Sequence, residues 1–102
     1  MQAAGIPELT EKEFQEQVVE LARLSGWRVY HTWLAVRSAS GFPDLVLARP
    51  GRLVFAELKS NRGKLTLVQE EWLQALRETG AAEVYLWRPD DWDEIVQILT
   101  WH

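Results

Sequence analysis

Between residues 28 and 64 the chain carries two carboxylates, Asp44 and Glu57, among seven bases: Arg28, Arg37, Arg49, Arg52, Lys59, Arg62 and Lys64. Each carboxylate stands in a run of β-formers, Asp44-Leu-Val-Leu-Ala-Arg49 and Leu53-Val-Phe-Ala-Glu-Leu-Lys59, with Pro50-Gly51 between them. If Pro50 and Gly51 alone make the connection, Val46 faces Phe55 and Asp44 faces Glu57. Directly opposed residues share a face of the sheet, with Cβ atoms about 5 Å apart. Lys59, two residues past Glu57, falls on that face too. Two carboxylates so placed disfavour each other's ionisation, so they need a cation or a shared proton, and paired oxygens suit a hard ion such as Mg2+. The other reading is a hairpin edge of solvated charges, with Lys59 pairing with Glu57. Pro-Gly favours a type II turn, which is not the usual hairpin turn, and a longer loop would shift the register by one residue.

Two helices add polar groups to the same region. Thr10 and Glu13 have the spacing of a capping box, and Phe14, Val18, Leu21 and Ala22 recur at helical spacing up to Gly26. Glu11 falls on that apolar stripe, whereas Glu13, Glu16 and Glu20 point away. A carboxylate on a packing face needs a partner, although at a helix start it can instead favour the dipole. Thr66 and Gln69 repeat the capping-box spacing at the head of a helix over 67–79, which ends at Gly80. Gln69 shares the stripe of Trp72, Leu73 and Leu76, and its alternative role is the capping box itself. Glu11, Gln69 and the Asp44/Glu57 pair are thus aimed at one sheet.

The remaining elements are strands at about 27–33 and 83–88 and a last helix. Asp91 and Glu94 are placed to cap that helix, and Trp92, Ile95, Val96 and Leu99 share one of its faces. Residues 35–43 read as a loop. Short connections make the first three strands an antiparallel meander, and the connection through the second helix is long enough for a right-handed parallel crossover. Strands 2 and 3 are apolar on both faces, so helices should cover the sheet on both sides. The order is α-β-β-β-α-β-α, an α/β fold.

The 102 residues, 47% hydrophobic and 25% charged, fit one domain over 1–102. With no cysteine, a disulfide scaffold, a thiolate zinc site and a thiol nucleophile are all excluded. No apolar run approaches the roughly 20 residues that span a bilayer, so the expectation is a cytoplasmic protein with no membrane partner. The net charge of −4 hides a division: the acids cluster in 8–20 and 70–94, and the 28–64 stretch is basic. A local basic patch suffices to attract phosphates. His31 reads as a ligand, a base or a satisfied strand residue; Trp33 to Val36 and Trp101 read as core, interface or stacking surface. There is no P-loop, no Gly-x-Gly-x-x-Gly and no Ser-His-Asp set, so no organic cofactor is expected.

Four motifs follow one another in order: Thr10-Glu11-Lys-Glu-Phe-Gln15, Gly41-Phe-Pro-Asp44, Glu57-Leu-Lys59, and Gly63-Lys64-Leu65-Thr66 leading to Gln69. Together they resemble the PD-(D/E)XK nuclease superfamily and, within it, the small stand-alone VRR-NUC (virus-type replication-repair nuclease) domains. The resemblance implies a restriction-endonuclease-like αβββαβ core: a mixed four-stranded sheet flanked by helices, here with a C-terminal helix added. It also implies a Mg2+-dependent phosphodiesterase acting on DNA, with Mn2+ as a substitute metal. Glu11, Asp44 and Glu57 would be the metal-site carboxylates, joined by the backbone carbonyl of Leu58. Lys59 would be the catalytic lysine and Gln69 an active-site polar residue. Arg62, Lys64 and Arg37 would contact DNA phosphates. No base-reading element is evident, so the expected substrate is duplex or branched DNA recognised by shape, as in DNA repair, and a homodimer would supply two cleavage sites. A binding module of the same fold that does not cleave, and an RNase built on the same site, are the alternatives.

Overall fold

A computed structural model describes residues 8–32 and 40–101. The Arg37 and Trp33–Val36 expectations, the end of the first strand and most of the 35–43 loop lie outside the described residues. The elements are α1 (Glu11–Leu24), β1 (Arg28–His31), β2 (Leu45–Arg49), β3 (Arg52–Leu58), α2 (Leu67–Glu78), β4 (Glu83–Trp87), a 3-10 turn at Pro89–Asp91 and α3 (Trp92–Thr100). They build a mixed four-stranded sheet in the order β1-β2-β3-β4. β1, β2 and β3 are antiparallel, and β4 returns parallel to β3 after α2.

The register of the central hairpin is the one the sequence implies: Val46 pairs with Phe55 and Arg49 with Arg52, which leaves Pro50-Gly51 as the whole connection. Gly51 sits at φ +81°. With the negative φ that its ring imposes on Pro50, this matches a type II turn, and the two-residue length holds despite the usual preference for mirror-image turns.

Alternation across the pleat sends Leu45, Leu47, Val54, Ala56 and Leu58 to one side of the sheet. There they meet Phe14, Val18 and Ala22 of α1, Ile95 and Leu99 of α3, Trp27 and Trp87 in one buried core. α2 covers the opposite side, where Leu73 is buried. The sheet is therefore helix-covered on both faces, as its two-sided apolar strands require. Both expected capping boxes form, at Thr10/Glu13 and Thr66/Gln69.

Three expectations change. Trp27 is not in β1; its ring is buried in the core and its indole N–H donates to the Leu99 carbonyl at 2.8 Å. Asp91 does not cap α3 with its side chain, because that carboxylate accepts the Arg88 N–H at 2.9 Å and closes the 3-10 turn instead. Trp101 is not core: it is left 69% exposed at the end of α3, while Ile95 and Leu99 of that helix are fully buried, with Trp92 and Ile98 packed against the core. Among the described residues no helix is long and apolar enough to cross a membrane.

Candidate active site

Glu57 is the sole charged residue among the buried side chains described, at 2% exposure. It is on the α2 face of β3, at the strand's C-terminal end. The hairpin register, continued one pair beyond Leu45–Ala56, sets Asp44 across from it. Asp44 Oδ2 accepts the Leu58 N–H at 2.8 Å, which fixes that carboxylate against the neighbouring strand. The Glu57 carboxyl is pushed up to about 8, first by burial and then by the charge of Asp44; the Lys59 ammonium opposes the shift, a hydrogen bond with Asp44 adds to it, and Glu11 adds a smaller push. Lys59 Nζ stands 3.9 Å from Glu57 Oε2.

Gln69 resolves a choice that the sequence left open. Its Oε1 accepts the Thr66 N–H at 2.9 Å and completes the capping box, while its Nε2 donates to Glu57 Oε2 at 3.1 Å. One amide has an acceptor end and a donor end, so the cap and the site are served together. The first turn of α2 is thereby locked to the buried acid.

The segment before β2 is held as firmly. Gly41 has φ +85°, and a Cβ there would stand 2.6 Å from Val68 Cγ1 and 2.8 Å from the Val68 carbonyl carbon, so only glycine lets this segment lie on α2. Phe42 packs edge-on against Phe55 and Trp72, at 6.0 and 5.1 Å between ring centroids. Thr32 clasps the segment twice: its N–H donates to the Asp44 carbonyl at 2.8 Å and its hydroxyl to the Pro43 carbonyl at 2.8 Å. Sequence reasoning missed Thr32, since a threonine at the end of a strand carries no signal of what it will clasp.

The other candidates are placed less uniformly. Glu11 keeps the stripe's phase but, as the first residue of α1, it is exposed, and it reaches Glu57 only through its charge. Arg62 is exposed and pairs with Glu8 at 3.3 Å, and Lys64 is exposed in the same loop. His31 is partly buried in β1. Two members of the basic stretch turn inward: Arg52 makes a two-pronged ion pair with Glu83, at 2.8 and 2.6 Å, and Arg49 donates to the Ser25 carbonyl at 3.1 Å.

Among the described residues no three of His, Cys, Asp and Glu stand ready-clustered for a metal. The Asp44/Glu57 pair still fits one. Two hard oxygen donors sit side by side, and what raises the Glu57 pKa is burial next to another negative charge, the strain a divalent cation relieves.

The fold and this carboxylate-lysine arrangement define a nuclease of the PD-(D/E)XK kind. The chain belongs to the VRR-NUC domain family, whose model matches residues 5–86. A solved structure described as a VRR_NUC domain protein superposes with a TM-score of 0.72 at 18% identity, over 91% of this chain and 87% of that one. A second, described as a VRR_NUC domain, gives 0.71 at 25% identity, over 92% and 100%. Archaeoglobus fulgidus Hjc, a Holliday junction resolvase from an archaeal hyperthermophile, gives 0.53 at 22% identity, over 74% and 66%. No curated protein matches the chain.

Proposed function

We propose that this nuclease-family domain is a metal-dependent DNA endonuclease that hydrolyses phosphodiester bonds and selects DNA by structure, branched or junction DNA in particular, rather than by sequence. The observation that carries this reading is the buried Glu57 beside Asp44, with Lys59 at 3.9 Å and Gln69 donating to the same carboxylate oxygen. Asp44 and Glu57, with Glu11 and the Leu58 carbonyl, would hold Mg2+ or Mn2+. When bound, that ion supplies Lewis-acid stabilisation of charge developing on the phosphate.

The chain's own residues do the rest. Gln69 and the Leu58 N–H orient the two carboxylates, so their lone pairs are aimed before any substrate arrives. The Lys59 ammonium, on a side chain only 13% exposed, stabilises the extra negative charge of the attacked phosphate or positions the attacking water. Arg62 and Lys64, on the exposed loop after β3, and Arg37 contact flanking phosphates, which set affinity and register but read no bases. Cutting both strands of a duplex or a symmetric junction takes two such sites related by a two-fold axis, so the active form is a homodimer. The likeness to a Holliday junction resolvase supports including a four-way junction among the substrates.

The test is incubation with linear, nicked, forked and four-way DNA, with Mg2+, with Mn2+ and with a chelator. Cleavage is expected only with metal, with branched DNA preferred. Glu57→Gln should lower the rate by about 1,000-fold or more, the scale of losing a metal-site or charge-stabilising group. Full activity in chelator, or in the Glu57→Gln protein, would defeat the reading, and cleavage of RNA alone would turn it to an RNase.

A further inference from the structure

Arg88 follows β4 directly, beside the end of β3, where the Lys59 N–H donates to the Trp87 carbonyl at 3.0 Å. It lies past the residues that the family model matches. Its partly buried Nη1 carries two hydrogens, and both hold the loop that follows Lys59: Nη1 donates to the Ser60 carbonyl at 2.7 Å and to the Gly63 carbonyl at 2.6 Å. The Ser60 carbonyl also accepts the Gly63 N–H at 3.1 Å, so the guanidinium grips both ends of a tight turn. Asn61 and Asp90 clasp the same loop reciprocally: Asn61 Nδ2 donates to Asp90 Oδ1 at 3.2 Å, and the Asp90 N–H donates to Asn61 Oδ1 at 3.0 Å.

The grip reaches the site through Gly63. A Cβ built on Gly63 would stand 3.4 Å from Lys59 Cδ and 3.5 Å from Lys59 Cβ, so this glycine lies along the lysine's aliphatic stem. Contacts therefore run from the Arg88 guanidinium, through the Gly63 carbonyl, to the side chain whose ammonium is 3.9 Å from Glu57. Hydrogen bonds from a charged donor are about twice as strong as neutral ones. A lysine could not replace the arginine, because a compact ammonium on a flexible stem does not present the planar, preorganised donors of a guanidinium.

We propose that Arg88 is the positioning residue for Lys59, holding the Ser60–Lys64 loop closed against the lysine stem so that the ammonium stays over the carboxylate pair. Its effect on cleavage rests on the nuclease reading above; its hold on Lys59 rests on the contacts alone. The test is competitive acylation of the metal-free protein, scoring Lys59 against exposed Lys12, in the wild type, Arg88→Lys and Arg88→Gln, with Arg77→Gln as a control from the last turn of α2. Lys59 should label roughly ten-fold faster in both Arg88 variants as the loop opens locally, and at the wild-type rate in the control. On cleaved DNA, kcat should fall with KM little changed, and Arg88→Gln should add no further loss in a Lys59→Met background. Gly63→Ala, whose methyl would crowd Ser60 Oγ at 3.2 Å and disturb the loop while leaving Arg88 in place, should shift the Lys59 ratio in its own right and serves if the Arg88 variants fold poorly. Unchanged Lys59 labelling in folded Arg88→Gln and Gly63→Ala proteins would overturn the proposal, and so would full additivity with Lys59→Met. A wild type that cut no DNA would defeat the nuclease reading instead, and the labelling ratio would still decide the role of Arg88.

Discussion

At the turn of the β2–β3 hairpin two arginines stand opposite each other; at its open end, about 17 Å away along five strand residues, two acids do. Arg49 and Arg52 are paired across the strands, and like charges so placed repel. The fold answers that repulsion completely. Glu83 takes two prongs of Arg52, whose Nη1 also donates to the Ile98 carbonyl at 2.8 Å. Arg49 donates to the Ser25 carbonyl, and both guanidiniums stack on Trp27, at 5.3 and 4.9 Å from its centroid. These carbonyls belong to the C-terminal ends of α1 and α3, the negative ends of the helix dipoles. The acids at the open end receive much less: one backbone N–H, one amide and an ammonium at 3.9 Å. Glu57 does lie near the N-terminal, positive end of α2, through Gln69 in that helix's first turn. One strand pair thus carries a neutralised charge cluster at one end and a charge cluster kept in want of a cation at the other. The first holds the sheet to its helices, and the second is where chemistry can happen.

The comparison breaks most readily at the turn end. Arg52→Ala removes an ion pair, a helix-capping hydrogen bond and two aromatic stacks, and leaves Glu83 and the α3 carbonyls without their partner. Equilibrium denaturation should show a loss of about 2–4 kcal/mol, the range for removing one partner of a part-buried, hydrogen-bonded pair. Cleavage per folded molecule should hold. A loss below about 0.5 kcal/mol, the scale of exposed pairs, would mean the turn end is ordinary surface.

The same measurement on Glu57→Gln, in chelator, should move the other way. The amide keeps an acceptor for Gln69 and a donor toward Asp44, and it folds without the proton uptake that a carboxyl pushed up to about 8 requires. A gain of about 1 kcal/mol is expected at neutral or mildly alkaline pH. A clear loss there would show that the carboxylate pair stabilises the fold rather than straining it.

Much of this was legible before the fold. The Pro50-Gly51 spacing yields the hairpin register, and the register alone brings Asp44 and Glu57 face to face. Helix phase brings Gln69 to the sheet, though only the two ends of its amide show that cap and site are one contact. The arginines were misjudged for a physical reason. Counting charge along a segment says nothing about which face of a pleat a residue occupies, and Arg49 and Arg52 face the core side, where the stems and rings of a cage were waiting. Glu11 shows the limit of helix phase: the stripe continues in angle, but the core does not extend under the first residue of α1. Arg88 was invisible because its acceptors are backbone carbonyls 25 and 28 residues away, and carbonyls have no sequence identity.

The smallest effect lies in the pH dependence of the turn end. The Glu83 carboxyl is held below the usual carboxylate range, mainly by its hydrogen bonds from Arg52 and in part by the Tyr85 hydroxyl, against an opposing contribution from burial. A carboxyl whose folded pKa is depressed binds fewer protons folded than unfolded. Its contribution is therefore complete above the unfolded value, near 4.5, and disappears as the pH falls through the folded one. Tyr85, raised to about 12 chiefly by burial and then by its hydrogen bond to Glu83, bounds the other side. Its neutral form is favoured in the fold, so that contribution is complete below about 10 and is lost as the pH climbs toward 12. The stability gap between wild type and Glu83→Gln should accordingly be flat from about pH 6 to 9, on the order of 1 kcal/mol, and close as the pH falls through the depressed folded value. Urea midpoints of the two proteins across that range measure it. A gap that persisted unchanged into acid would mean the amide and the carboxylate differ in packing alone, and the turn end would then owe its stability to shape rather than to matched charge.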